Sequence, residues 1–263
     1  MAHGLAADRS WFEIDLKGYV GTTLGLPTRL CDFGDSSGFA NGSIEHNAVI
    51  LADDVAALKH HTGSEDVVTI GHSMGGIVAR HYAERSNGDD TDVERVIQIG
   101  SPNVGSVVAD LGIFVQALVN KDPTGSLKDR FPDLGRFNGP GLHQMTTTYM
   151  GLYNAAHGRS PKTTFSSIAG ASDTPPNCPP SWMVEGTRVL EIYVHGQTLV
   201  SNDSVVSKNS AWGTTDASNL LAYGFEGDER AVVADSTCQQ LAAHDRLVQG
   251  WWTNTPTCRG SLR

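Results

Sequence analysis

Residues 71–76, Gly-His-Ser-Met-Gly-Gly, constrain the fold of this chain more than any other feature. They follow a short apolar, β-branched segment at residues 67–70 and precede a helix-like segment at residues 77–85. A strand that reverses sharply into a helix strains the residue at the turn, and side chains on its neighbours would collide. The pattern therefore predicts a tight strand–turn–helix unit that exposes the hydroxyl of Ser73. Its glycine spacing does not fit the G-x-G-x-x-G pattern of a dinucleotide site.

The rest of the chain alternates between predicted helices and strands. Between Ser43, a suitable helix N-cap, and Gly63, a suitable helix end, apolar residues recur at helical spacing: Ile44, Ala48, Leu51, Val55 and Leu58. A further helix is predicted at residues 8–20, strands at residues 29–33, 93–99, 163–169 and 189–194, and mostly loop at residues 201–240. This order predicts an α/β fold with a doubly wound, mostly parallel sheet.

The alternation lapses between residues 102 and 161. Residues 107–119 form a predominantly apolar helical segment, and residues 131–141 are rich in glycine, proline and aromatic residues. We predict a single domain over residues 1–263, with a cap or lid inserted at residues 103–161. An ordinary sheet-covering helix followed by a long loop remains the alternative, because apolar helices usually pack on sheets.

Charge and composition exclude several classes of partner. The formal net charge is -10 and the pI is about 5.4, without the clustered Lys and Arg that bind phosphates, which argues against nucleic acid. No apolar run reaches the roughly 18 residues that a membrane-spanning helix needs, and the amino terminus lacks a signal-peptide pattern. We therefore expect no transmembrane segment, and a substrate that is neutral or apolar.

The four cysteines bear on the cellular compartment. They are Cys31, Cys178, Cys238 and Cys258, and none has the C-x-x-C spacing of a zinc site. Four thiols permit two disulfides, in three alternative pairings. Together with the low lysine content they favour a secreted protein over a cytosolic one with buried thiols. Cys31, at the end of a predicted strand, is also compatible with a packed free thiol.

Residues 71–76, together with residues 99–106, Ile-Gly-Ser-Pro-Asn-Val-Gly-Ser, resemble the α/β-hydrolases, and within them the bacterial triacylglycerol lipases and carboxylesterases. The resemblance is densest from Gly42 to Gly105. It implies the α/β-hydrolase fold and a serine hydrolase that forms an acyl-enzyme on Ser73, with a small-molecule or lipid ester as substrate, transient contact of the cap with a lipid interface and no cofactor. Some related lipases hold a structural Ca2+, but no residues here match its ligands. A thioesterase, amidase or acyltransferase, or a non-catalytic member of the fold, remains an alternative.

The resemblance also implies an oxyanion hole. His3-Gly4-Leu5 is similar to the His-Gly-x of these lipases, in which the residue after the glycine lends a backbone amide. Leu5 and Met74 would then supply the two amides, the second because it directly follows Ser73. The family places a whole buried strand before its His-Gly, whereas only two residues precede His3 here. A disordered terminal residue is therefore the alternative for His3.

A serine nucleophile also needs a histidine base. In this fold the chain order is serine, acid, histidine. His244 is the last histidine and precedes Leu247 and Val248 at helical spacing, which resembles the family's catalytic histidine before a C-terminal helix. The resemblance therefore implies that His244 is the base, and the alternatives are His143, His157 and His195.

The base must in turn be oriented by a carboxylate. Residues 202–207, Asn-Asp-Ser-Val-Val-Ser, resemble the family's Asn-Asp-Gly-x-Val segment, with Ser204 in place of the glycine. The resemblance therefore implies that Asp203 is the catalytic acid. Asp173 is the main alternative, because it follows another predicted strand. Asp216 and Asp235 resemble polar loop residues, and an aspartate in a loop is more often a turn former than a catalyst.

Overall fold

The computed structural model describes residues 1–5, 16–34, 42–85, 91–126, 129, 139–171, 205–214 and 229–234. The strand predicted at residues 189–194 and most of the helix predicted at residues 8–20 lie outside these ranges. The end of that helix corresponds to a helical turn at Leu16–Gly18 and a π-helical turn at Tyr19–Thr23.

Four strands form the central sheet of the described residues: β1, Val67–His72; β2, Val93–Ile99; β3, Thr164–Ala171; and β4, Glu229–Ala234. Their order is β1-β2-β3-β4, and every neighbouring pair is parallel. The predicted α/β fold with a parallel sheet is therefore confirmed. Because the strands are parallel, their carboxyl ends lie along one edge of the sheet, where ligands of open α/β sheets bind.

The first residues of the chain lie beside β1. The amide of Ala2 donates to the carbonyl of Ile70 at 2.8 Å, and the amide of His72 donates back to Ala2 at 3.0 Å, which is a parallel bridge. On the other side of this segment, the amide of Cys31 donates to the carbonyl of Met1 at 2.9 Å. The segment predicted as a strand at residues 29–33 is therefore paired with the amino terminus, although it forms no regular strand.

Helix α1, Ile44–Thr62, confirms the predicted apolar stripe. The hydroxyl of Ser43 caps its first turn by accepting from the amide of His46, and Gly63 ends it at φ 72°, in the left-handed region. Of the five predicted stripe residues, four are buried and Leu58 is partly buried against the core. Helix α2, Met74–Glu84, begins directly after Ser73, three positions before the predicted start.

The described residues also form helices α3, Val107–Lys121; α4, Pro140–Gln144; α5, Thr147–Ala156; and α6, Lys208–Trp212. The prediction that residues 201–240 are mostly loop is wrong at α6 and at β4. Helix α6 has five residues and little apolar periodicity, and β4 is a short run in which alanine, a weak strand former, stands at two of six positions. Both form because they pack on the rest of the fold, where α6 lies against β3.

Region 103–161 contains two kinds of helix. In α3 the side chains of Val107 and Ala109 are buried, whereas Phe114 and Leu118 are 60% and 44% exposed. Helices α4 and α5 instead contribute buried residues to the core, among them Leu142, Met150 and Tyr153. The cap and its boundaries remain a prediction. No helix in the described part of the chain is long and apolar enough to cross a membrane.

Cys31 is a free, buried thiol, in agreement with the packed-thiol interpretation. Burial raises the pKa of this thiol to about 12, so it stays protonated at neutral pH. Three cysteines remain for any disulfide, which leaves at most one bridge rather than two. Cys178, Cys238 and Cys258 lie outside the described residues.

Candidate active site

Ser73 stands at the turn between β1 and α2 in a strained conformation. Its backbone has φ 53° and ψ -126°, and among the described residues it is the one non-glycine residue with a positive φ. Such a conformation costs about 1–3 kcal/mol and persists where the surroundings enforce it. The amide of Ser73 donates to the carbonyl of Ile99 at 2.9 Å, which ties the turn to the end of β2. The predicted strand–turn–helix unit is present.

The glycines around Ser73 are required by close packing. A Cβ on Gly71 would lie 2.5 Å from the Cα of Gly76, and one on Gly75 would lie 2.5 Å from the carbonyl oxygen of His3. A Cβ on Gly76 would lie 2.9 Å from the Cβ of Ser101. Contacts this short involve backbone or the first side-chain carbon, which cannot rotate away. The turn is therefore clamped by the amino-terminal segment and by the loop after β2.

The segment His3-Gly4-Leu5 lies against Ser73. A Cβ on Gly4 would lie 2.9 Å from the Cβ of Ser73. The His3 side chain is fully buried, and its Nε2 accepts from the amide of Phe33 at 3.0 Å. The alternative that His3 is a disordered terminal residue is therefore wrong. Packing and a backbone hydrogen bond fix this segment next to the serine.

Leu5 and Met74, the residues proposed to donate oxyanion amides, lie close together. Met74 is the first residue of α2, where amides have no partner within the helix. The two side chains meet at α4, because a Cβ on Gly141 would lie 2.8 Å from Leu5 Cδ1 and 2.9 Å from Met74 Sδ. Met74 is fully buried and Leu5 is partly buried. The structure thus brings both residues to the surroundings of Ser73.

Asp203 and His244 lie outside the described residues, as do their alternatives Asp173 and His195. Two other histidines can be assessed. His157 stacks on Tyr153 with ring centroids 4.1 Å apart, and lies 5.7 Å from the ring of His81. His81 is eight positions beyond Ser73, or about 12 Å along a helix, which places His157 far from the serine.

His143, near the end of α4, is exposed, and its ring lies edge-on to Tyr149 at 6.1 Å. Neither His143 nor His157 is supported as the base by its surroundings. His244 therefore keeps its place in the assignment through the resemblance alone.

A buried ion pair anchors the helix behind Ser73, and sequence reasoning missed it. Nε of Arg80 lies 3.1 Å from both carboxylate oxygens of Glu84, and the two side chains are 1% and 0% exposed. Nη1 of Arg80 also donates to Oδ1 of Asn154 at 2.8 Å. Burial raises the pKa of Glu84 even though the charge of Arg80 acts to lower it. An i, i+4 pair of opposite charge is ordinarily a surface feature, so the burial of this pair could not be predicted from its spacing.

Comparisons with known proteins agree with this architecture. The family described as PGAP1-like alpha/beta domain matches residues 34–134, which include the turn at Ser73. The mature lipase of Bacillus licheniformis superimposes with a TM-score of 0.59 at 19% identity, over 96% of this chain and 86% of the lipase. A phospholipase of Legionella pneumophila gives 0.50 at 13% identity, over 80% of this chain and 44% of that one. A comparison with curated proteins gave no match.

At such low identity these matches establish the fold and not the reaction. The match to the Bacillus licheniformis lipase extends over nearly the whole chain. The parallel sheet and the strained turn between β1 and α2 are the parts of the fold that frame Ser73. On these grounds the chain has the α/β-hydrolase fold.

Proposed function

We propose that this chain is a serine hydrolase that cleaves carboxylic esters, as a lipase or carboxylesterase. The observation that carries the proposal is the strained turn at Ser73, with φ 53° between a buried strand and a helix. Strain of this kind is retained where it serves a function, and here it presents a hydroxyl at the carboxyl end of the sheet. A purely structural turn at this position would take glycine without strain.

In the proposed mechanism, Oγ of Ser73 attacks the ester carbonyl carbon while His244 accepts the hydroxyl proton. The tetrahedral oxyanion receives hydrogen bonds from the amides of Leu5 and Met74. The intermediate expels the alcohol, which takes the proton from His244, and leaves an acyl-serine. Water then attacks the acyl group with His244 as base, which releases the acid and restores Ser73. Asp203 orients the imidazole and stabilises its protonated form.

The described residues support the oxyanion assignment most directly. Gly4 packs on Ser73 and leads into Leu5, while Met74 is the next residue after the serine and opens a helix. The positive end of that helix dipole and its free amides favour a negative charge beside Ser73. The roles of Asp203 and His244 rest on the resemblance and on their order in the chain.

The substrate we propose is an ester with an apolar acyl group. The acidic net charge of -10 disfavours anionic substrates, and α3 exposes the apolar side chains of Phe114 and Leu118. We further propose that region 103–161 acts as a cap, that it contacts lipid interfaces transiently through α3, and that the protein is secreted. The relatives with known structures, a lipase and a phospholipase, are consistent with a lipid ester.

The test is covalent labelling by a fluorophosphonate probe, with mass spectrometry to locate the label, followed by turnover of p-nitrophenyl butanoate. We expect the label on Ser73 and a loss of turnover in Ser73→Ala on the order of a millionfold. Ser126→Ala, at an exposed serine, is the control and should retain activity. Matched oxygen esters, thioesters and amides then identify the leaving group. Wild-type turnover by Ser73→Ala would refute the proposal.

A further inference from the structure

The loop after β2, residues 101–106, lies between the turn at Ser73 and the chain segment that follows Asp203. Every residue of this loop is buried. Three of its side chains are polar, namely Ser101, Asn103 and Ser106, and Asn103 is fully buried. Burying an amide is costly unless all its groups are hydrogen-bonded, so the partners of Asn103 show what holds this loop.

On the side of Ser73, Asn103 forms a reciprocal amide pair with Gln98 of β2. Nε2 of Gln98 donates to Oδ1 of Asn103 at 2.9 Å, and Nδ2 of Asn103 donates back to Oε1 of Gln98 at 3.0 Å. Nε2 of Gln98 also donates to the carbonyl of Gly76 at 3.0 Å, in the first turn of α2. One amide pair therefore connects the loop to the helix that begins after Ser73.

On the opposite side, the same loop holds residues 205–211. The second N–H of the Asn103 side chain donates to the carbonyl of Ala211 at 3.0 Å, and the Asn103 backbone amide donates to Ser210 at 3.1 Å. The hydroxyl of Ser210 donates to the carbonyl of Gly105 at 2.6 Å, and that of Ser106 to the carbonyl of Val205 at 2.6 Å. The side chains of Asn103, Ser106 and Ser210 therefore join the loop after β2 to residues 205–211.

We propose that Asn103 is a positioning residue, which sets the placement of residues 205–211, the segment that follows Asp203, relative to Ser73. This inference rests on the proposed function and on Asp203 as the acid. Val205 is two residues beyond Asp203, and two residues span at most about 7 Å. The side-chain amide oxygen of Asn103 and both of its side-chain amide hydrogens are hydrogen-bonded to Gln98 and Ala211. Only one orientation of this amide group satisfies all of these hydrogen bonds.

A shift of this segment should lower the rate because the activity of a catalytic triad depends strongly on its geometry. A displacement of about 1 Å at a catalytic group can cost about a hundredfold in rate, even when its cause lies outside the reaction centre. The carboxylate also raises the pKa of the imidazole that it faces, because an opposite charge favours the protonated form. If residues 205–211 shift and the acid that precedes them moves away from the base, the imidazole loses part of this stabilisation, and its pKa falls.

A purely structural role for Asn103 would have a different signature. It would lower the melting temperature without changing kcat or the pH dependence of the folded enzyme. The acidic limb of kcat/KM reports the pKa of the base in the free enzyme. A shift of the acidic limb is therefore expected if Asn103 positions the triad, and no shift is expected if its role is purely structural.

The experiment compares Asn103→Ala and Ser210→Ala with the wild type, using kcat, KM and the pH profile of kcat/KM with p-nitrophenyl butanoate. We expect kcat to fall about tenfold or more, KM to change less than about twofold, and the acidic limb to move to lower pH. Asp203→Asn is the reference, and should move the limb in the same direction. Ser210→Ala removes one hydroxyl and decides the question if Asn103→Ala does not fold.

The control is Asn154→Ala. Nδ2 of Asn154 donates to the Asn103 carbonyl at 2.8 Å, and its Oδ1 accepts from Nη1 of Arg80 in α2 at 2.8 Å, so the substitution removes a contact of the same loop without touching the Asn103 side chain. This variant should lower the melting temperature and leave kcat and the acidic limb unchanged. If Asn103→Ala and Ser210→Ala behave in the same way, the positioning role is wrong. A fully active Asp203→Asn would also overturn it, whereas an active Ser73→Ala would instead refute the proposed function.

Discussion

Glu45 and Gln144 are joined by hydrogen bonds although 99 positions separate them in the chain. Nε2 of Gln144 lies 3.1 and 2.9 Å from the two carboxylate oxygens of Glu45, and Oε1 of Gln144 accepts from the amide of Ile44 at 2.6 Å. The hydroxyl of Tyr149 donates to the same carboxylate at 2.9 Å. Gln144 thus binds the first turn of α1 and holds α4, which lies within region 103–161, against it.

The first prediction is that Glu45 stabilises the fold in a pH-dependent way. Burial opposes its charge, but hydrogen bonds from Gln144, its own backbone amide, Ser43 and Tyr149 outweigh burial and lower the Glu45 pKa to about 2. The unfolded value is about 4.3, so the contribution is complete above that pH and is lost as the pH falls towards 2. Because Glu45 is largely exposed, we expect less than about 1 kcal/mol.

Urea unfolding of the wild type and Glu45→Gln between pH 7 and pH 2 measures this contribution. The variant should have a lower free energy of unfolding at pH 7, and the difference should shrink as the solution is acidified. Glu65→Gln, at an exposed position of the loop before β1, is the control. A difference between wild type and Glu45→Gln that is independent of pH would contradict the prediction.

The second prediction concerns the strain at Ser73. Both Ser73→Ala and Ser73→Gly remove the hydroxyl, but only glycine adopts a backbone with φ 53° and ψ -126° without steric cost. We expect Ser73→Gly to be more stable than Ser73→Ala by about 1–2 kcal/mol, while neither hydrolyses esters. Thermal and urea melts of the two inactive variants measure this difference. Equal stabilities would show that the turn is not strained.

The third prediction concerns the buried pair of Arg80 and Glu84. Removing one partner leaves a charge without its counter-ion, so Arg80→Met should destabilise the fold by about 3–5 kcal/mol. Replacing both, as Arg80→Met with Glu84→Leu, should recover most of that loss, because an apolar pair avoids the desolvation that raises the Glu84 pKa. Urea unfolding of both single variants and the double variant forms the double-mutant cycle. A double variant as unstable as Arg80→Met would show that the pair itself stabilises the fold.

Sequence patterns predicted those parts of the structure that local physics determines. The glycines around Ser73 and the stripe of α1 each lie within one short segment, so spacing alone was sufficient. The contact between Asn103 and Ala211 joins residues 108 positions apart, and no periodic pattern in either segment predicts it. For the same reason the prediction for residues 201–240 missed α6 and β4, which depend on tertiary packing. Asn103 lies within residues 99–106, which the resemblance singled out without a role.

The last prediction concerns the exposed apolar side chains of α3. If they belonged to the core, replacing Phe114 or Leu118 by alanine would cost about 2–5 kcal/mol of stability. These side chains are 60% and 44% exposed, so we expect a cost of less than about 1 kcal/mol for each. Thermal melts of Phe114→Ala and Leu118→Ala measure it.

As the wall of a cap, however, these side chains would contact the acyl chain of the substrate. Each buried methylene contributes roughly 0.8 kcal/mol, so kcat/KM should rise stepwise from acetate to butanoate or longer esters and then level off. Both variants should shift this chain-length optimum, because they remove apolar surface from the wall. Leu152→Ala is the matched control, since Leu152 is 69% exposed on α5, and it should leave the profile unchanged. A series of p-nitrophenyl esters on the wild type and the three variants provides the measurement. Identical profiles in all four proteins, or melting temperatures strongly lowered by Phe114→Ala and Leu118→Ala, would show that α3 does not line an acyl site.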